Sequence, residues 1–198
     1  MSDFRKMIPF ILHCEAGIPT SWADKPVDVQ FERARKTGYA NDPNDAGGPT
    51  LCGVTLATYA AYRRGKGYKN TTIADLKAMT YFEWEAILKT MYWDRWRADH
   101  ITTQQVAAAC VDWVWGSGKY GITKVQTLLG VKADGIVGEK TLGALNGYAD
   151  QRELFNKIQA ARNAYHAAIA KPGTKNAKFL KGWNRRVAMI QWDGFRLT

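Results

Sequence analysis

A turn-rich stretch from Gly38 to Thr55 constrains this chain most, and it reads Gly-Tyr-Ala-Asn-Asp-Pro-Asn-Asp-Ala-Gly-Gly-Pro-Thr-Leu-Cys-Gly-Val-Thr. Its clustered Gly, Pro, Asn and Asp residues exclude a helix, and it has too few apolar residues for a buried strand. Two carboxylates, Asp42 and Asp45, lie in this loop close to the hydroxyl of Thr50. We interpret it as a loop that is retained for its function.

The segment ahead of this loop is predicted to be a helix that ends in an acid. Its apolar face follows the i, i+3, i+4, i+7, i+8 spacing and consists of Phe4, Met7, Ile8, Ile11 and Leu12. Glu15 continues that face, so its carboxylate is expected to point toward the core or a cleft. Pro9 predicts a kink or a late start of the helix.

An acid in apolar surroundings, a loop carboxylate and a hydroxyl together suggest glycoside hydrolysis. Cleavage of a glycosidic bond needs a carboxylic acid that stays protonated near neutral pH and a second group that guides water or stabilises the cation. Glu15 has the required setting. A lone Glu at the end of an apolar face is, however, more often a surface residue, and spacing alone favours that alternative.

The composition is that of a globular protein of 198 residues, with 46% hydrophobic and 23% charged residues, enough for one domain or two small packed ones. No apolar run is long enough to cross a membrane, and we expect no signal peptide. The odd number of cysteines disfavours a disulfide framework, and the three histidines lie far apart, so we expect neither a metal site nor a cofactor.

The net charge of +10 is concentrated in the second half of the chain, which contains 14 Lys and Arg but only 6 Asp and Glu. Such a surplus favours a polyanionic partner, which could be nucleic acid, anionic lipid or bacterial cell wall, and a merely solvated surface is an equal alternative. No recognition-helix motif accompanies the charge, so we expect no nucleic-acid partner.

The remaining pattern is mainly helical. Thr80 and Glu83 form a predicted capping box, and the apolar run 106–115 predicts a central buried helix. Other expected helices cover 55–64, 72–79, 122–129, 140–145, 151–170 and 177–192, and a hairpin is expected near the loop. We predict a mainly α fold, a helical bundle with a small hairpin at the site, divided into regions 1–100 and 101–198.

The tract from Gly38 to Thr50, together with Gly53-Val54-Thr55-Leu56-Ala57-Thr58-Tyr59, closely resembles glycoside hydrolase family 108, the lysozyme-like N-acetylmuramidases of phages and bacteria. In that family the catalytic Glu opens a Glu-Gly-Gly-Tyr motif that runs straight into this loop. Here Glu15-Ala16-Gly17 and Gly38-Tyr39 resemble the two sides of that motif, separated by an insertion of about twenty residues. The resemblance implies an α+β lysozyme-like fold.

The resemblance also implies roles for individual residues. Glu15 would be the general acid, Asp45 would steer or deprotonate water, and Thr50 would complete the catalytic set. Glu32 is the other candidate acid before the loop, but it lies in a charged run without an apolar face. Tyr39 would either line the sugar groove or pack beneath the loop. Asp42, which precedes a proline, is expected to cap its own turn.

The second half resembles the peptidoglycan-binding region that accompanies this family. The matching residues are Asp112, Gly118, Gln126, Leu129-Gly130-Val131, Asp134-Gly135, Gly138 and Thr141-Leu142. Trp113, Ser117 and Arg185 are candidate substrate-binding residues. The favoured alternative for Trp113 is a place in the core. The family often has Asn where this chain has Gly116, so one sugar-contacting amide is missing.

Further cations near the end of the chain are expected to attract anionic wall polymer, with a solvated helix surface as the alternative. They are Lys171, Lys175, Lys178, Lys181 and Arg186.

Taken with the resemblance, the sequence predicts a monomeric muramidase that cleaves the β-1,4 bond between N-acetylmuramic acid and N-acetylglucosamine. It would be made in the cytoplasm and act at the bacterial cell wall or periplasm, without stable insertion in a membrane. A lytic transglycosylase and an inactive wall-binding or secretion-assisting protein remain alternatives. The sequence leaves open whether the enzyme is a phage endolysin or a host protein.

Overall fold

The computed structural model describes residues 1–41 and 47–197. Within them the chain is mainly helical with two short antiparallel sheets, which confirms the predicted fold class. The chain divides into two compact units, one spanning Arg5–Lys89 and the other joining Met1–Phe4 to the chain from Thr90 onward. The boundary between the two units lies near residue 90, ten residues before the expected boundary at residue 100. The turn Asp94–Trp96 packs against the helix Gln104–Ser117 and therefore groups with the second unit.

The first unit starts with a 3-10 turn at Phe4–Met7, and the α-helix begins one residue before Pro9, in agreement with a late start. Thr80 and Glu83 form the predicted capping box. The elements of this unit are α1 (Ile8–Ala16), α2 (Val27–Thr37), β1 (Tyr39–Ala40), β2 (Thr50–Leu51), β3 (Val54–Thr55), α3 (Leu56–Gly65), α4 (Ile73–Lys77) and α5 (Tyr81–Leu88).

The core of the first unit forms where α1, α2 and α5 pack together. Phe31 of α2 is fully buried, with its ring centroid 5.5 Å from that of Trp84 and 6.0 Å from that of Tyr81. The inserted segment therefore contributes a helix with a buried face of its own. The strands pair in the order β1-β2-β3, with Tyr39 opposite Leu51 and Leu51 opposite Val54.

The second unit is a bundle of helices with a closing hairpin. A π-helical turn at Lys89–Trp93 leads into it from the first unit. Its helices and strands are α6 (Gln104–Ser117), α7 (Tyr120–Leu128), α8 (Glu139–Asn146), α9 (Gln151–Ile169), α10 (Leu180–Met189), β4 (Ile190–Gln191) and β5 (Gly194–Phe195).

Helix α6 is the centre of this bundle, and every residue from Val106 to Val114 is buried. Helices α7 and α9 pack around it. Gly121 allows the closest approach, because a Cβ atom there would lie 2.6 Å from backbone atoms of Trp113 and Val114. Any side chain at this position would force α7 away from α6.

Across the described ranges, no helix is both long enough and apolar enough to span a membrane.

Candidate active site

Helix α1 carries Glu15 at its end. The helix buries Phe10, Ile11 and Leu12 completely, and Glu15 lies half-buried in the last turn. Gly17 then adopts a left-handed conformation with φ of 64°, and its N–H donates to the carbonyl of His13 at 3.0 Å. This glycine cap stops the helix immediately after the acid, so the carboxylate lies at the boundary between core and surface.

The two sides of the split motif lie in contact. A Cβ atom at Gly38 would lie 3.0 Å from the Cβ of Ala16 and 2.8 Å from the carbonyl oxygen of Ala34. The Thr37 hydroxyl also donates to the carbonyl of Ala16 at 3.3 Å. The inserted segment therefore ends with α2 returning the chain to Ala16, the residue after Glu15, so that the two sides of the split motif are close in space.

The turn between β2 and β3 packs against the same glycine. The Sγ atom of Cys52 would lie 3.0 Å from a Cβ at Gly38. Cys52 and Gly53 both have positive φ, 47° and 79°, as a type I′ turn requires. The Cys52 backbone is held on both sides, since its N–H donates to Gly38 at 2.9 Å and its carbonyl accepts from the Trp84 indole at 2.9 Å. A strained non-glycine residue is thus fixed against Gly38.

The charges of Glu15 and Arg35 both act on the Cys52 thiol. Burial, and then the Glu15 carboxylate, raise the pKa of this thiol to about 12, and Arg35 opposes them. The thiol therefore stays protonated at neutral pH and does not serve as a nucleophile. This thiol belongs to the turn that joins β2, which carries Thr50, to β3.

Two further predicted site residues lie on this small sheet. Tyr39 in β1 is half-buried, and the ammonium of Lys77 is 4.3 Å from its ring centroid, so that a cation contacts this aromatic ring. Thr50 in β2 is also half-buried, and its hydroxyl donates to the carbonyl of Gly48 at 2.9 Å. Asp42 and Asp45 lie outside the described residues.

Glu32, the competing acid, lies in a different environment. It is on α2, its side chain is 52% exposed, and it forms an ion pair with Arg35 at 2.8 Å. Glu32 therefore provides a matched control for Glu15.

The candidate binding residues of the second unit lie in different places. Trp113 is completely buried, with its ring 6.1 Å from that of Tyr165, so the structure corrects its assignment as a sugar-binding residue in favour of the core alternative. Ser117 is half-buried and hydrogen-bonds the Tyr165 phenol. Arg185 is exposed on α10.

A buried ion cluster links three helices of this unit. Asp112 of α6 is fully buried and accepts hydrogen bonds from Arg162 of α9 at 2.8 Å and from Arg186 of α10 at 2.7 Å. Burial alone raises the pKa of Asp112, but the two guanidinium groups outweigh it and hold the pKa below its ordinary value. Arg186, expected as a surface cation, is instead an internal partner of Asp112.

The described residues contain no group of three or more His, Cys, Asp and Glu side chains arranged to hold a metal ion.

Two family models match the chain. The model of the family described as Glycosyl hydrolase 108 matches residues 31–118, and that of the Predicted Peptidoglycan domain matches residues 120–188. A solved structure of SagA from Brucella abortus is 28% identical, covers 94% of this chain and 90% of its own, and superposes with a TM-score of 0.72. No curated protein sequence matches the chain.

The chain is thus a peptidoglycan-acting glycosyl hydrolase. Its residues 31–118 belong to the glycosyl hydrolase 108 family, and its residues 120–188 form a C-terminal peptidoglycan domain. The segment matched by the hydrolase model contains Tyr39, Thr50 and Glu32, whereas Glu15 precedes it. The contact between Ala16 and Gly38 is therefore the structural reason to include Glu15 in the site.

Proposed function

We propose that the protein is a muramidase that hydrolyses the β-1,4 bond between N-acetylmuramic acid and N-acetylglucosamine, with Glu15 as the general acid. The observation that carries this proposal is the contact between Ala16 and Gly38, which joins the two halves of the motif. Ala16 follows Glu15 and Gly38 precedes β1, so the contact brings the end of α1 to the start of β1. A carboxyl group at the end of an apolar helix, beside a buried thiol, suits proton donation to a leaving oxygen.

In the proposed mechanism Glu15 protonates the glycosidic oxygen while the loop supplies the second group. Asp45 activates water on the opposite face of the sugar ring, and the Thr50 hydroxyl, on the sheet that follows the loop, orients that water or the substrate. Tyr39 lines the same edge with its ring backed by Lys77. This division of labour is that of an inverting pair of carboxylates.

Two alternatives lead to different products. A lytic transglycosylase would use Glu15 alone and leave an anhydro sugar end. An inactive wall-binding protein would leave the polymer intact. The close packing of Ala16 against Gly38 favours activity, because the insertion is accommodated as α2 without separating the motif.

Mass analysis of digested peptidoglycan tests the proposal. We expect fragments with reducing N-acetylmuramic acid ends, heavier by one water than anhydro products. A Glu15→Gln preparation purified in the same way excludes contaminating wall enzymes. Anhydro ends from the wild type would overturn hydrolysis, and an undegraded polymer would overturn both catalytic assignments.

A further inference from the structure

A groove in the second unit lies between helix α9 and the closing hairpin, far along the sequence from the candidate active site. Its volume is about 750 Å³. The hairpin pairs Gln191 with Gly194, so Trp192 and Asp193 form its two-residue tip. Both tip residues line the groove, whose other wall is α9.

The floor of this groove is apolar and firmly held. Phe155 and Ile190 are almost completely buried, and the Phe155 ring lies 5.9 Å from that of Trp192. The Gln159 side-chain amide donates to the carbonyls of Val187 at 2.9 Å and Ile190 at 3.0 Å. These bonds fix α9 to the end of α10 and to β4, so the groove is formed before any ligand binds.

The rim of the groove is polar and carries uncompensated charge. Arg152 and Arg196 line it from opposite walls, and Asp193 lies at the hairpin tip. Within the described part of the chain, none of these three side chains forms an ion pair. Asn156 and Asn163 add amide groups along the α9 wall, which can bind backbone amides of a ligand.

We propose that this groove binds the peptide stem of peptidoglycan. The inference rests on the proposed function, because it assigns a second contact with the same polymer. Two guanidinium groups suit the carboxylates of an acidic stem, Asp193 suits its amine, and the apolar floor with Trp192 suits its methyl groups. The peptidoglycan domain match ends at residue 188, so the hairpin adds recognition residues beyond that segment.

The stem is favoured over the bare glycan by the kind of side chains present. Glycan strands are commonly held by aromatic faces, whereas this rim has two arginines, two asparagines and a single tryptophan. A guanidinium group distinguishes a carboxylate from a hydroxyl through its paired donors. Binding should therefore depend on the peptide and fall with added salt.

Titration calorimetry on the full-length Glu15→Gln protein tests the proposal without cleavage of the ligand. The probes are a synthetic N-acetylmuramyl tripeptide and the peptide-free disaccharide of N-acetylglucosamine and N-acetylmuramic acid. We expect the muramyl tripeptide to bind at least about tenfold more tightly. Equal affinity for the two probes, or no binding of the tripeptide, would overturn the assignment.

Paired variants locate the binding. Arg152→Gln with Arg196→Gln should weaken tripeptide binding by about tenfold or more. Lys124→Gln with Lys132→Gln removes the same charge from exposed positions outside the groove and should change it less than twofold. Equal losses in both pairs would show general surface attraction and overturn the proposal. Melting curves confirm that each pair folds.

The assay separates this inference from the proposed activity. If the wild type digests peptidoglycan but the tripeptide does not bind, the assignment of the groove as a peptide-stem site is wrong and the proposed activity stands. If the tripeptide binds through the groove but the wild type does not cut the glycan, the proposed muramidase activity is wrong and the assignment of the groove stands.

Discussion

The end of helix α1 and the middle of helix α6 each carry one acid in an apolar helix, and the two acids differ in burial. Asp112 in α6 is fully buried and neutralised by Arg162 and Arg186. Glu15 is half-buried in the last turn of α1, and its charge helps to raise the pKa of the Cys52 thiol. A carboxylate held between two guanidinium groups cannot donate a proton, so burial alone does not mark a catalytic acid.

The largest expected effect is the loss of catalytic activity when Glu15, the proposed general acid, is replaced. Glu15→Gln should lower peptidoglycan cleavage by about 10²–10⁴-fold, because the amide fills the same space but cannot donate an acidic proton. Its melting temperature should stay within about 2–4 °C of the wild type. Clearing rates on purified peptidoglycan and thermal melts measure both quantities.

Glu32→Gln is the matched control for this change, because it alters an exposed, ion-paired glutamate on the neighbouring helix. We expect nearly full activity. An inactive Glu32→Gln protein beside an active Glu15→Gln protein would reverse the assignment.

The second prediction is a loss of folding stability when Asp112, the buried acid of α6, is replaced. Asp112→Asn removes the buried charge that both guanidinium groups bind and should lower the free energy of unfolding by about 3–5 kcal/mol. Because the pKa of Asp112 is lowered in the folded protein, its stabilisation is present at neutral pH and is lost as the pH falls below about 3.8. Urea unfolding at pH 7 and near pH 3 measures both effects.

The control for this prediction is Glu153→Gln, which breaks an exposed ion pair with Lys157 on α9. It should leave the unfolding midpoint unchanged. A loss of stability equal to that of Asp112→Asn would contradict the special role of the buried cluster.

The third prediction compares the loss of turnover caused by substitutions at Asp45 and Thr50. Asp45→Asn should lower turnover by about 10²-fold, because it removes the base that activates water, whereas Thr50→Ser keeps the hydroxyl and should cost less than about tenfold. Steady-state rates on soluble peptidoglycan fragments rank the two variants. Full activity of Asp45→Asn with an inactive Glu15→Gln would support the single-acid transglycosylase.

The last prediction concerns the pH dependence of stability at His166, which lies beside the ion cluster. Its side chain is buried, and burial followed by Arg162 lowers its pKa to about 4, although Asn184 and Asp112 oppose the shift. The unfolded chain therefore takes up a proton first, and stability declines as the pH falls from 6.5 toward 4. His166→Gln should reduce this slope by up to about 1.4 kcal/mol per pH unit. An unchanged slope in urea unfolding would show that the pKa of His166 is not lowered in the folded protein.

Local signals predicted most of the fold. The capping box at Thr80 and Glu83 and the continuous apolar run of α6 each specify a helix without tertiary information, and both form as expected. The sequence pattern predicts that the last helix ends at residue 192, but α10 ends at Met189 and a hairpin follows. The Asp193-Gly194 turn signal was present, but the apolar spacing around it also fits a helix.

Contacts between distant residues could not be predicted from the sequence. Asp112 meets Arg162 and Arg186 across 50 and 74 residues, so Arg186 was interpreted as a surface cation. The closure of the split motif at Gly38 likewise depends on the return of α2 to the end of α1. The roles of Glu15, Asp45 and Thr50 came from the resemblance to a family, and they stay predictions.

A crystal structure of the Glu15→Gln protein with a bound glycan fragment tests the central claim most directly. The account predicts that the side-chain amide at position 15 lies about 2.6–3.2 Å from the glycosidic oxygen. The carboxylate of Asp45 should approach the opposite face of the sugar, with about 6.5–9.5 Å between the two side-chain groups, as in an inverting enzyme. A glycosidic oxygen next to Glu32, or a glycan bound away from the β1 strand, would contradict the account.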